Sequence, residues 1–186
     1  MAPKAEICVS CARGLTLNTN PCDDRLMTIP TDISAPPSTR PWPPLLLAGI
    51  VAAAIFLGHH LPLAWPGQDD LPAHFAGWGL GLAGVALFLW SAATLRRHGT
   101  TILPDKAASV LVTDGPFRFR RNPMYISHVF MLLGVAELTH DIWFVILAAL
   151  YIPFVTWLAV LPEERHLEAL FGEDYRAYKA RTRRWI

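Results

Sequence analysis

Four apolar stretches, at about 43–63, 73–95, 123–138 and 142–161, constrain this chain more than any other feature. A helix that crosses the hydrocarbon core of a bilayer needs about 20 residues, and about 17 is the short limit. The second and fourth stretches meet that length outright. The first does so with His59 and His60 at its far end, and the third does so when counted from Pro123 to His140. Composition agrees: 53% of the 186 residues are hydrophobic, 17% are charged and the mean hydropathy is +0.32. Soluble domains carry about 25% charged residues. The expected fold is an all-α integral membrane protein with about four transmembrane helices. A soluble all-α bundle is the competing arrangement, and the segment lengths disfavour it.

Charge placement orients the spans. The 16 Lys and Arg residues fall in the first 40 residues, in the 96–121 loop and in the tail from Arg165. The other two connections, 65–72 and 139–141, contain Asp but no Lys or Arg. Four spans alternate sides, so the basic regions share one side of the membrane. By the positive-inside rule both termini and the 96–121 loop are expected in the cytoplasm. A net charge of +1 gives no support for nucleic-acid binding. Contact with anionic lipid headgroups accounts for the basic loops.

Residues 1–42 are rich in Pro, Thr, Ser and Asp and show no sustained apolar period, which predicts a disordered cytoplasmic tail. No apolar core of a secretory signal precedes the first span, and Met27 is an alternative start. Cys8, Cys11 and Cys22 all lie in this tail. Cys8 and Cys11 have the spacing of half a zinc site, but a full ligand set is lacking, so reduced thiols and no metal are expected.

Gly77, Gly79, Gly81 and Gly84 recur on the second span, where small residues predict close helix packing rather than a phosphate loop. The following loop, 99–122, is long and carries its own apolar run, Val110-Leu111-Val112, a pattern of functional loops. It ends in the basic, aromatic sequence Gly115-Pro116-Phe117-Arg118-Phe119-Arg120-Arg121-Asn122-Pro123-Met124-Tyr125. Asn122 is a favoured N-cap and Pro123 suits the first helical position. Two readings stay open here. One is capping and membrane anchoring alone. The other is a helix start whose amides receive an anionic group, with Tyr125 adding a ring face and a hydroxyl.

His128 and Glu137 are polar residues within the third stretch, which are costly in a bilayer and often functional. His128 equally suits contact with headgroup water. Pro153 is expected to kink the fourth span. The cluster Pro162-Glu163-Glu164-Arg165-His166 follows, on the same side as Arg121 and Asn122. Leu167, Leu170, Phe171, Tyr175 and Tyr178 then recur at helical spacing, which predicts an amphipathic interfacial helix interrupted near Gly172. Glu163 and Glu164 suit either a pairing with Arg118 or Arg121, or hydrogen bonding to a polar, cationic cofactor.

The run Leu111-Val112-x-x-Gly115-Pro116-Phe117-Arg118-x-x-Arg121-Asn122-Pro123-x-Tyr125 resembles the signature of the isoprenylcysteine carboxyl methyltransferase and phospholipid methyltransferase superfamily. The tail Glu163-Glu164-x-x-Leu167-x-x-x-Phe171-Gly172-x-x-Tyr175-x-x-Tyr178 resembles its second signature, and the likeness covers about 95–186. The resemblance implies a membrane methyltransferase domain over 43–186 that uses S-adenosylmethionine. It implies that Arg121, Asn122, Pro123, Tyr125, Glu163 and Glu164 line the cofactor site. The family more often has His where this chain has Asn122, and Asn cannot titrate near neutral pH.

The expected chemistry is direct methyl transfer to a lipophilic acceptor arriving from the bilayer. Isoprenylcysteine carboxylate, a phospholipid amine and a small hydrophobic thiol or carboxylate all fit. Arg118, at the membrane face beside the cofactor motif, is the expected catalytic residue, orienting an anionic group of the acceptor. Two other functions compete: a membrane reductase using NADPH, whose sterol-reducing members share an Arg-x-Pro-x-Tyr element, and a non-catalytic membrane scaffold. The Ala- and Leu-rich, Arg-over-Lys composition suggests a bacterial inner membrane. Oligomeric state has no sequence signal.

Overall fold

The computed structural model describes residues 42–63, 65–66, 70–99 and 110–185. The expectations for the 1–41 tail, with its three cysteines and Met27, therefore lie outside the described residues. The described elements are α1 (Trp42–His60), α2 (Leu71–Arg97), a 3-10 turn (Gly115–Arg118), α3 (Pro123–Thr139) and α4 (Ile142–Val155). A π-helical turn (Thr156–Val160) then leads into α5 (Leu161–Arg181). No strand occurs among the described residues, only an isolated bridge between Arg120 and Arg183.

Three helical stretches are long and apolar enough to cross a membrane: Pro43–His60, Leu71–Arg97 and the continuous Ile142–Arg181. α3 is apolar too but has 17 residues, the short limit for a span. Local chemistry sets the starts. Asp70 accepts the Ala73 amide at 3.4 Å to cap α2, and Asp141 accepts the Trp143 amide at 2.9 Å to cap α4. Phe56 of α1, Phe75, Leu82 and Leu89 of α2, and Trp157 remain exposed. So much apolar surface suits contact with lipid tails rather than with water.

α2 and α3 pack antiparallel through glycines. Gly77 lies against Glu137, Gly81 against Gly134, and Gly84 against Ser127, Phe130 and Met131. A Cβ on Gly81 would meet the Gly134 Cα at 3.0 Å, so here backbone touches backbone. Gly79, also expected in this packing, instead faces open space. On the other flank, α3, α4 and α1 bury Leu132, Ala136, Phe144, Ala148, Tyr151, Val155, Ile50 and Ala54 in one core. The Trp143 indole donates to the Leu61 carbonyl at 2.8 Å, so α1 ends where α4 begins.

Two expectations are corrected. A helix end was expected at Leu161-Pro162, before the amphipathic stretch. Instead the helix continues unbroken into α5, because the turn widens after Pro153. The Leu161 amide bonds to the Thr156 carbonyl, five residues back, and this wider winding accommodates Pro162, which has no amide to donate. The backbone leaves helical geometry later, at Gly172 (φ 52°, ψ −119°). Asn122 occupies the N-cap position of α3, but its side chain makes no cap hydrogen bond. Its carboxamide donates elsewhere, as described below.

Gly134→Ala should push α2 and α3 apart and cost about 1–3 kcal/mol by overpacking. Gly79→Ala should be neutral or stabilising by up to about 1 kcal/mol. Thermal unfolding of both variants in detergent checks the pair.

Candidate functional site

The site begins at the 3-10 turn. Gly115 has φ 54°, and a Cβ there would lie 2.7 Å from the Thr94 hydroxyl oxygen. Only glycine both adopts this conformation cheaply and lets the turn rest on the end of α2. The His98 ring lies 3.0 Å from the Asp114 carboxylate just before the turn, and its hydrogen bond holds Asp114 below the usual carboxylate value. The Tyr178 hydroxyl of α5 donates to the Phe117 carbonyl at 2.7 Å, which fixes the turn against the C-terminal helix.

The chain then passes under the C-terminal tail. The Arg121 amide donates to the Arg183 carbonyl at 3.0 Å, and the Asn122 carboxamide donates to the Arg184 carbonyl at 3.2 Å. The Arg121 guanidinium donates to the Lys179 carbonyl at 3.0 Å and also to the Thr182 carbonyl. Asn122 is thus committed to holding the tail and leaves the first amides of α3 without its side-chain oxygen. Pro123, the next residue, is fully buried.

Glu164 is the ionic centre. Arg184 grips its carboxylate with both ends, at 3.0 Å from Nε and 2.7 Å from Nη2, and Arg121 Nε adds a third bond at 3.2 Å. Only 6% of Glu164 is exposed. Burial raises its pKa, but the hydrogen bonds from Arg184 and the charges of Arg121 and Arg184 outweigh that effect and hold it below the usual carboxylate value.

Glu163 is opposite in character. Its Oε2 accepts the Tyr125 hydroxyl at 3.1 Å, and it has no Lys or Arg partner among the described residues. Burial pushes its carboxyl up, the charge of Glu164 adds to that, and the Tyr125 hydrogen bond opposes it; the outcome is a raised pKa. His166, one turn further along α5, has a buried Nε2 with no hydrogen-bond partner among the described residues.

The structure therefore brings Arg121, Asn122, Tyr125, Glu163 and Glu164 into one cluster, with Pro123 starting the helix beneath it. Arg118 stands outside that network, exposed and without an ion pair among the described residues. His128, expected either to reach headgroup water or to act in function, is buried and lies 2.8 Å from the Tyr151 hydroxyl. Arg184 and Thr182 were not singled out from the sequence, and His166 was read there only as part of the charged cluster after the fourth span. Arg184 read there as one more basic residue marking the membrane side, although its place after the Tyr-x-x-Tyr signature was an available hint.

Arg184→Ala should leave Glu164 buried and paired with Arg121 alone, costing about 1–3 kcal/mol. The lowered pKa fixes the sign for pH. Glu164 contributes stability above its unfolded-state value, and that contribution disappears as pH falls through its depressed folded-state value. Unfolding midpoints measured against pH should drop more steeply below the usual carboxylate range in the native protein than in Glu164→Gln.

A sequence profile of the family described as phospholipid methyltransferase matches residues 72–174. The chain is also similar to the cobalt-zinc-cadmium resistance protein CzcN of Cupriavidus metallidurans, with 27% identity over 133 residues. That stretch is 71% of this chain and 56% of the relative, so the chain spans about half the length of the relative it matches. No solved structure matches it.

Proposed function

This chain belongs to the phospholipid methyltransferase family of integral-membrane proteins, and we propose that it transfers a methyl group from S-adenosylmethionine to a lipophilic acceptor at the cytoplasmic face. One observation carries the reading. The family match covers the first sequence motif and the start of the second, Glu163 to Gly172, and the fold joins them through the Tyr125–Glu163 hydrogen bond.

The residues suit that cofactor. Glu163 has no Lys or Arg partner among the described residues and accepts a hydroxyl, and one turn along the same helix His166 has a buried imidazole nitrogen with no hydrogen-bond partner among the described residues. Such a set accepts a ligand that is positively charged and rich in hydrogen-bonding groups. When bound, S-adenosylmethionine supplies an electrophilic methyl group whose bond to sulfur breaks as the acceptor's lone pair attacks, leaving a neutral thioether. Glu163 would hold the cationic end of the cofactor, and Tyr125 would fix the direction of that carboxylate. The uncapped amides at the start of α3 would receive its carboxylate end. Arg121 and Glu164 would act as the frame that keeps Tyr125 and Glu163 in register. Arg118, exposed and without an ion pair among the described residues, would bind an anionic group on the acceptor, such as a carboxylate or phosphate. A carboxylate acceptor needs no base. An amine or thiol must lose a proton as well. Holding both reactants in line outside bulk water supplies most of the rate. The basic ends of the helices share the cluster's end of the bundle, which supports a cytoplasmic location for it.

Calorimetric titration of the detergent-purified protein tests this reading. S-adenosylmethionine should bind, and Glu163→Gln should weaken binding by about tenfold to a hundredfold. Native affinity should fall as pH drops through the raised Glu163 pKa, because protonation removes the negative charge; Glu163→Gln should lose that dependence. Arg118→Ala should keep cofactor affinity and lose turnover. Binding of NADPH in place of S-adenosylmethionine, or of neither, would overturn the proposal.

A further inference from the structure

The opposite end of the bundle carries a second polar cluster that methyl transfer does not use. α3 begins at the Arg121–Glu164 cluster and ends, roughly 25 Å away at 1.5 Å per residue, beside the first turn of α2. There the His74 ring pairs with the Glu137 carboxylate through Nδ1 and Oε1. The His140 ring lies 5.4 Å from that of His74, tilted by 34°. One ligand atom from each of His74, Glu137 and His140 lies within 4.8 Å of the other two.

Three features show that this grouping is built. Glu137 is only 7% exposed on a mainly apolar helix, where an ionised carboxylate is costly unless paired. Gly77 makes room for it: a Cβ at that position would sit 2.6 Å from the Glu137 Cβ. His140 closes α3 in the left-handed conformation, with φ 51°, and is the one non-glycine residue with positive φ among the described residues. Glycine is the ordinary occupant of that position. The conformation caps α3 through the His140 and Asp141 amides, which both donate to the Ala136 carbonyl, and the residue it carries there is an imidazole beside the His74–Glu137 pair. Trp78 stacks on His74, with ring centres 6.4 Å apart, and Trp65 lies 6.2 Å from His140, so aromatic rings flank the group.

We propose that His74, Glu137 and His140 form a binding site for a divalent transition-metal ion of the zinc type, at the end of the bundle remote from the methyl-transfer cluster. Two imidazoles and one carboxylate form a ligand set that zinc accepts, with water in the fourth position. Ligand atoms in a tetrahedral zinc site lie about 3.3 Å apart, so the exposed His140 ring closes the remaining gap by side-chain rotation. An ion pair between His74 and Glu137 alone would staple α2 to α3, but would not account for a second imidazole whose ligand atom lies within 4.8 Å of both partners.

The test is equilibrium dialysis of Zn²⁺ against the full-length protein in detergent, with bound metal counted by elemental mass spectrometry. Cys8, Cys11 and Cys22 are changed to Ser throughout, so that the tail thiols hold none of the metal. The proposal expects about one Zn²⁺ per chain, lost in both Glu137→Gln and His140→Ala and retained in His59→Ala/His60→Ala. His140 is exposed, so its variant remains informative if removal of the buried carboxylate prevents folding. No bound zinc, zinc that survives His140→Ala, or zinc lost only with His59 and His60 would each overturn it.

Discussion

The arrangement of the C-terminal half depends on one buried carboxylate. Glu164 is removed from water on α5, and an unpaired charge there would be strongly destabilising. Its two guanidinium partners come from distant places, Arg121 ahead of α3 and Arg184 beyond α5. Satisfying Glu164 therefore requires the tail to fold back over the start of α3. Once it does, the carbonyls of Lys179, Thr182, Arg183 and Arg184 find donors on Arg121 and Asn122. Those bonds and the ion pairs are mutually dependent, since breaking either set exposes buried polar groups in the other.

That frame separates the roles of two adjacent residues of the same type. Glu164 is stabilised in its ionised form. Glu163, one position earlier, is destabilised in the same form, because burial and its neighbour's charge raise its pKa. The linkage runs in opposite directions. Glu163 favours the folded state when protonated, and that contribution fades as pH rises through its unfolded-state value towards its raised folded-state value. A buried carboxyl with a raised pKa and no Lys or Arg partner among the described residues is the kind of exception that functional sites show.

Much of this was legible in the sequence, for identifiable reasons. Helices appeared because length and hydropathy are local properties: α2 and α3 start within about two residues of the expected positions, and the break at Gly172 falls where it was read. The pairing of the two motifs was legible because both flank a short helical hairpin, which must return the chain to the same end. The continuity of α4 and α5 was not, because proline reads as a stop unless the helix widens before it. Asn122 illustrates a second blind spot. Its cap position was right, but its carboxamide is engaged through Nδ2, which donates to a carbonyl 62 residues away, and no local pattern announces that. His74 and Glu137 are likewise separated by 63 residues, and their meeting is invisible until the α2–α3 register is known.

That register ties the two ends of the bundle together. Backbone contact between Gly81 and Gly134 requires that neither position carry a Cβ. A slip of one residue would bring Leu133 or Val135 against Gly81, and a slip of one turn would bring Phe130 or Leu138. Each would force the helices apart and forfeit the close contacts at Gly77 and Gly84. The register that closes the helices is therefore the one that sets His74 near Glu137 at one end and Gly84 beside Ser127 further along. It also fixes where α3 begins relative to the end of α2, and hence where Gly115 meets Thr94 and where Tyr125 stands. Neither polar cluster needs contact with the other to be held in place, because each is positioned by the same few atoms of glycine backbone.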